Sequence, residues 1–213
     1  MSEPPIPSLP RGYEVTKRVT SGRSDCHITV GFDRENAHIP RFLILLYYQV
    51  STDPLRWDAI ARMDHNETAV LGHDVFEEGI HVDAARRTGS TLHIKITDDP
   101  LPTSRGKVIR GCAHYLEANA QYFIDVFEGD RSAANPPKWP DGGEPPHTLM
   151  TTNPVGLDMS QEQPREDASE EVITMDELTE VLAEATGETP EEIEQGAEAI
   201  DFLPPEEATV LNE

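Results

Sequence analysis

The sequence predicts an α+β domain in which an antiparallel sheet of four or five strands is covered on one face by a long amphipathic helix. Three observations lead there. Between Cys26 and Thr97 apolar and polar residues alternate with the two-residue period of half-buried strands. Between Val108 and Phe127 a single apolar stripe has helical spacing instead. Charge is also partitioned: residues 1–138 hold 19 acids against 16 Lys and Arg, whereas residues 139–213 hold 21 acids against the single base Arg165. A near-neutral domain is thus followed by a polyanionic tail.

Residues 1–12, with Pro4, Pro5, Pro7 and Pro10, read as an extended lead-in to a domain spanning residues 13–131. Ile28 and Val30 have strand spacing within Cys26 to Phe32. Phe42 to Val50 is a continuous apolar run of β formers, suited to a central strand buried on both faces. Ser51-Thr52-Asp53-Pro54 is a turn. From Arg56 to Asp64, Trp57, Ala59, Ala61 and Met63 alternate with Asp58, Ile60, Arg62 and Asp64, and a loop follows around His65-Asn66 and Gly72-His73-Asp74.

The next strand, Gly79 to Arg87, places Ile80, Val82 and Ala84 on one side and His81, Asp83 and Ala85 on the other. After the Thr88-Gly89 turn, Leu92, Ile94 and Ile96 alternate with Thr91, His93, Lys95 and Thr97. Asp98 to Pro102 is a breaker cluster. Ser104 is placed to cap one helix running to about Phe127, with Val108, Cys112, Tyr115, Leu116, Ala120, Phe123 and Phe127 on its buried stripe.

Residues 132–171 hold seven prolines and no periodicity, and read as a disordered acidic linker. Residues 172–213 read as an acidic helical hairpin. Thr174 starts its first helix, Gly187 closes it, and Thr189-Pro190-Glu191-Glu192 starts the second with a cap, a proline at the first helical position and acids in the first turn. About forty residues seldom hold a core alone, so Leu178, Leu182, Ile193 and their neighbours should dock on something.

Composition narrows the function. The longest apolar run, Phe42 to Val50, is about half of what a membrane-spanning helix needs. No basic and apolar leader is visible, and Cys26 and Cys112 form no Cys-x-x-Cys pair. A cytoplasmic protein without a membrane partner is expected. Four lysines against thirteen arginines, with a large acid excess, suit a salt-adapted cytosol. The acidic tail has three readings: halophilic solubility, a nucleic-acid mimic or self-inhibitory segment, and a docking element for a protein partner. No nucleophile elbow, phosphate loop or dinucleotide fingerprint occurs, so neither ATP, NAD nor acyl-transfer chemistry is expected, and no cofactor is implied.

The candidate site is the polar face of the sheet. If the alternation holds, Arg62 and Asp64, His81 and Asp83, and His93 and Lys95 emerge together, opposite Ile80, Val82, Leu92, Ile94 and Ile96. His and Asp are poor strand formers, so their clustering asks for a reason beyond solvation. One chemistry is metal-free RNA cleavage, in which a histidine takes the 2′-hydroxyl proton or protonates the leaving oxygen and Arg or Lys stabilises the phosphorane. His81 and His93 are its acid–base candidates, Asp83 and Asp64 supporting carboxylates, and Arg62 and Lys95 phosphate-holding cations, with His65 and His73 placed to bind substrate. A second is metal binding through His73-Asp74, His81-x-Asp83 and His65, whose spacing matches no strong zinc signature. A third is non-catalytic recognition of RNA or of a protein. His27, His38 and His114 read as isolated, and Tyr47-Tyr48 as core.

The stretch Ile60-Ala61-Arg62-Met63-Asp64-His65-Asn66, then Gly72-His73-Asp74, then Gly79-Ile80-His81-Val82-Asp83, then one long helix, resembles the small TumE-type toxins of prokaryotic toxin–antitoxin systems. The resemblance covers about residues 43–127. It implies a toxin-like, RNA-cleaving domain with an antitoxin partner, and matches Arg62, Asp64, His73 and His81 to the family's motif positions. The chain departs from that pattern by its added N-terminal residues, its acidic tail, and the separation of the two histidines by Asp74 to Ile80. The same stretch is similar to an uncharacterised haloarchaeal family sharing only the fold.

Overall fold

The computed structural model describes residues 6–68, 74–97, 101–102, 104–131 and 172–211. The linker expected over 132–171, residues 1–5 of the lead-in and His73 lie outside them. In chain order the elements are β1 (Val15–Val19), β2 (Cys26–Phe32), β3 (Arg41–Thr52), β4 (Leu55–Asn66), α1 (Val75–Glu78), β5 (His81–Ala85), β6 (Thr91–Lys95), α2 (Arg105–Ala118), α3 (Ala120–Glu128), β7 (Val172–Ile173), α4 (Met175–Thr186), α5 (Pro190–Glu198) and β8 (Thr209–Leu211). All eight strands form one sheet in the order β7-β1-β2-β3-β4-β5-β6-β8, antiparallel except for β1 and β7. The α+β class stands, and the four or five strands expected become eight among the described residues. The three missed strands, β1, β7 and β8, are five residues or shorter. β7 and β8, of two and three residues, are too short to show a period, and in β1 the central Thr16-Lys17-Arg18 carries no apolar alternation.

The core follows the alternation. Ile28, Val30, Ile44, Leu46, Met63, Val82, Ala84 and Ile94 are buried on one side of the sheet, against Val108, Ile109, Cys112, Leu116 and Phe123 of the helical layer. The long apolar run behaves differently from expectation. In β3 only Phe42, Ile44 and Leu46 are buried, while Leu43, Leu45 and Tyr47 are half-buried, because among the described residues no second helical layer covers the outer face.

The helix expected from Ser104 to Phe127 is two helices. Asn119 leaves helical geometry (φ −104°, ψ 16°), and the Tyr115 carbonyl accepts both its backbone N–H at 3.0 Å and its side-chain amide at 2.9 Å. Ser104 occupies the cap position of α2 without capping it, because its hydroxyl donates to the Glu188 carboxylate. The tail helices begin where the sequence places them. Thr174 and Thr189 each form a reciprocal capping box, with Glu177 and Glu192.

The hairpin docks on its own domain. Leu178, Leu182 and Ile193 are fully buried in the common core, and β7 and β8 extend the sheet at its two opposite edges. Its helices join the helical layer, on the side away from the polar face, while β8 pairs with β6 beside His93 and Lys95. Both cysteines are free and buried, and burial pushes the Cys26 thiol up to about 11. No helix among the described residues is long and apolar enough to cross a membrane.

Candidate functional site

The outer face of β4, β5 and β6 is fixed by register. His81 lies opposite Lys95, Asp83 opposite His93, and Arg62 opposite Asp83. Val82, Ala84 and Ile94 alternate with these residues and are fully buried against the helices. Period-two geometry therefore sends the partners to the other side. Asp64 follows Arg62 by two residues and joins them. All six side chains that the alternation assigns to one face emerge there together.

Within the group, Asp83 Oδ1 lies 2.6 Å from His93 Nδ1. An ionised carboxylate only accepts, so Nδ1 carries the hydrogen and the ring is oriented by Asp83. The His81 ring lies diagonally across the hairpin, its centroid 6.4 Å from that of His93 and its plane turned by 81°. Arg62 donates to Asp64 at 3.0 Å. The His93 and Arg62 side chains are 35% and 42% exposed, which leaves both within reach of a bulky ligand. The arrangement offers two imidazoles, one of them oriented by a carboxylate, between two cations.

His65 stands apart. It was expected to bind substrate, but its register partner is Phe42 and its side chain is wholly buried on the core face. The Val75 backbone N–H donates to its Nδ1 at 3.3 Å, and its Nε2 lies 3.5 Å from Glu67 Oε2. The Phe42 and Phe76 rings flank it at 5.5 and 5.8 Å. Burial pushes its pKa down, against the opposing pull of Asp74. This is a neutral histidine pinning the start of α1 to the sheet, sealed from any substrate on the outer face.

Glu67 gathers a second group that the sequence did not show. His38, read as isolated, pairs with it, and Arg105 donates to it at 2.9 Å while lying 3.6 Å above the Phe76 ring. Burial alone would raise the Glu67 pKa, but the bonds from His38 and Arg105 hold it low. These partners come from separate elements, and no local pattern joins them. Among the described residues, no three His, Cys, Asp or Glu side chains form a group able to hold a metal ion. A cavity of about 330 Å³ lies on the helical side, between α2, α5 and Phe202.

Two further features of the outer face escaped the alternation. A β-bulge between the Tyr47–Ala59 and Leu46–Ala61 pairs inserts Ile60, and both Ile60 and Ala61 are buried. The phase of β4 reverses there, so Trp57 and Ala59, expected on the core side with Ala61 and Met63, face outward. Trp57 meets His27 with ring centroids 4.7 Å apart. Tyr48 packs on Phe127 in the core, while Tyr47 shares the outer side with His27.

The lead-in also folds over part of this face. Pro7 and Pro10 are buried, the Arg18 guanidinium donates to the Pro7 carbonyl, and a Cβ on Gly31 would sit 2.9 Å from both Pro10 and Tyr13. The signal available was Gly31 itself, since glycine within a strand marks a close approach.

Fold and face together define an α+β domain with one helix-covered side and one open side rich in histidine and carboxylate. The chain belongs to the family described as Domain of unknown function (DUF7718), which matches residues 12–133, from the start of the sheet to just beyond α3. No curated protein and no solved structure matches it.

Proposed function

We propose that the outer face of β4–β6 is the active site of a toxin-like, metal-independent RNA endonuclease acting in the cytoplasm, related in kind to the TumE-type toxins and held in check by an antitoxin or other protein partner. The observation that carries the reading is the Asp83–His93 pair with His81 one diagonal away. In this reading His93 Nε2 takes the proton from a ribose 2′-hydroxyl. The 2′-oxygen then attacks the adjacent phosphorus, the P–O5′ bond breaks, and His81 in its protonated form gives its proton to the departing 5′-oxygen. The products are a 2′,3′-cyclic phosphate and a 5′-hydroxyl, with protons and bonds balanced. Arg62 and Lys95 hold the phosphate and stabilise the charge that builds on it. Asp83 orients His93, as Asp64 does Arg62.

The net charge of −23 repels a polyanion at long range. Salt shortens that reach to about 8 Å at physiological ionic strength, so the local cations decide binding where the medium is salty. The test is cleavage of a mixed-sequence RNA by the full chain from low to molar salt, beside His81→Ala. Cleavage by the parent that the variant loses supports the reading; no cleavage by the parent at any salt ends it.

One observation favours a second reading, a non-catalytic interaction protein of a halophile. Residues 172–211 carry twelve acids and no Lys or Arg, and ten of those acids, from Asp176 to Glu207, are exposed. Such a surface would mimic nucleic acid or engage a basic partner. Retention of the full chain on a basic protein column, lost when acids of α4 and α5 are changed to Gln, would favour it.

A further inference from the structure

Helix α2 lies within the family-matched residues 12–133, yet its outward surface is shaped for residues well beyond them. A Cβ on Gly106 would lie 2.7 Å from Ile193 Cδ1, and one on Gly111 would lie 3.0 Å from Phe202 Cε2. On the opposing helix, a Cβ on Gly196 would lie 2.3 Å from Lys107 Cδ. Each glycine in a helix interior is a cost relative to alanine. Here that cost accompanies close approaches: a Cβ would require the Ile193, Phe202 or Lys107 side chain to shift.

Polar latches surround the apolar seat. Lys107 Nζ meets Glu188 at 2.6 Å, Arg110 donates to the Thr179 hydroxyl at 2.8 Å, the Tyr115 hydroxyl donates to the Leu203 carbonyl at 3.1 Å, and Arg131 meets Glu206 at 2.7 Å. Three of the four place a cation of the domain against the acidic segment. At the sheet, β7 pairs with the β1 edge and β8 with the β6 edge. All of these contacts run between residues 12–131 and residues 172–211, which 40 intervening residues connect. A connector of that length spans at most roughly 130 Å, so it sets no docking geometry of its own.

We propose that residues 172–211 are a tethered partner: the β1 edge, the outer side of α2 and the β6 edge form a protein-interaction surface that accepts an acidic strand–helix–helix–strand segment, and the chain supplies that segment to itself. The covalent connection raises the effective concentration of the segment at its seat. The seat combines the two sheet-edge additions with a helix pair in an apolar groove, both established modes of peptide recognition. It also borders the polar face, since Leu211 stands opposite His93 in the register of β6 and β8. The proposal is independent of the RNA reading, and its failure leaves that reading untouched.

The experiment places a protease recognition sequence between residues 140 and 165 of the full chain, cuts it, and follows the product by gel filtration and native mass spectrometry at micromolar concentration. The expected result is a one-to-one complex of the two pieces with its circular dichroism unchanged. Mixed with a cut copy carrying an isotope-labelled C-terminal piece, it yields hybrid masses well before the protein unfolds. Lys107→Glu, at the rim of the seat, weakens the cut complex about tenfold and leaves the uncut chain docked. Ile193→Asp weakens the cut complex at least a hundredfold. Pieces that precipitate or separate at micromolar concentration overturn the proposal. So do pieces that stay together but exchange only on global unfolding, because the segment is then an inseparable part of one folding unit.

Discussion

His93 and His65 stand two strands apart in one sheet and face opposite ways. His65 is sealed between Phe42 and Phe76, accepts a backbone N–H, and is held neutral by burial. His93 is partly exposed, is bonded through Nδ1 to Asp83, and sits among four other charged or titratable groups. The residue type is the same; the face decides the work. On the core side the histidine takes the Val75 N–H on Nδ1 and, with Nε2 3.5 Å from Glu67, acts as a structural pin. On the outer side a carboxylate orients the ring, the arrangement that proton transfer calls for.

Substitutions sharpen that contrast, the largest effect first. His93→Ala is expected to lower RNA cleavage by about 10²–10⁴-fold, the usual contribution of a general acid or base, with little change in melting temperature. Steady-state cleavage and calorimetry on the same sample check both halves. His65→Ala is expected to do the reverse. It leaves the Val75 N–H without its acceptor and opens a buried cavity, lowering stability by about 2–4 kcal/mol, while cleavage per folded molecule is unchanged. If His65→Ala abolished cleavage in a folded protein, the division of the two faces would break.

Asp83→Asn tests the support of His93 rather than His93 itself. An amide oxygen still accepts from Nδ1–H but offers no charge to an imidazolium, so we expect roughly a tenfold loss in kcat with a displaced pH profile. A loss in KM alone would instead make Asp83 a binding group.

The smallest effect is one of pH. The folded pKa of His65 lies below its ordinary value of 6.5, so the unfolded chain takes up the proton first. The stability tied to neutral His65 is present above pH 6.5 and falls as pH drops from there toward the folded value. Glu67 and Glu188 are held below the ordinary carboxylate value, in each case against burial, by hydrogen bonds from His38 and Arg105 and from Lys107 and Ser104. Their contribution is present above the unfolded value near 4.5 and is lost as pH falls through the folded values, so they add to the loss only in stronger acid. Melting temperature should decline from pH 7.5 to 5 in the parent and decline less in His65→Gln.

The open face was legible in the sequence because β5 and β6 are short, regular and antiparallel, so that alternation alone aligns His81, Asp83, His93 and Lys95. The helices of the tail were legible because Thr174 and Thr189 carry their capping partners three residues on. Other features depend on contacts distant in sequence. The bulge at Ile60 reverses β4 without a local marker, which is why Trp57 was misplaced and Arg62 was not. His65 carries no sign that Val75 would donate to it. The strands β7 and β8 are too short to show a period and exist because the β1 and β6 edges offer them partners.

The most direct measurement uses one oligoribonucleotide in two forms, all-ribose and with a single 2′-deoxy sugar at the mapped cleavage position, incubated with the full chain in excess chelator. We predict that the all-ribose strand is cut to a 2′,3′-cyclic phosphate and a 5′-hydroxyl, that the deoxy position is spared, and that His93→Ala loses the cut. Equal cutting of both strands, or cutting that persists in His93→Ala, would contradict catalysis by the Asp83–His93–His81 face.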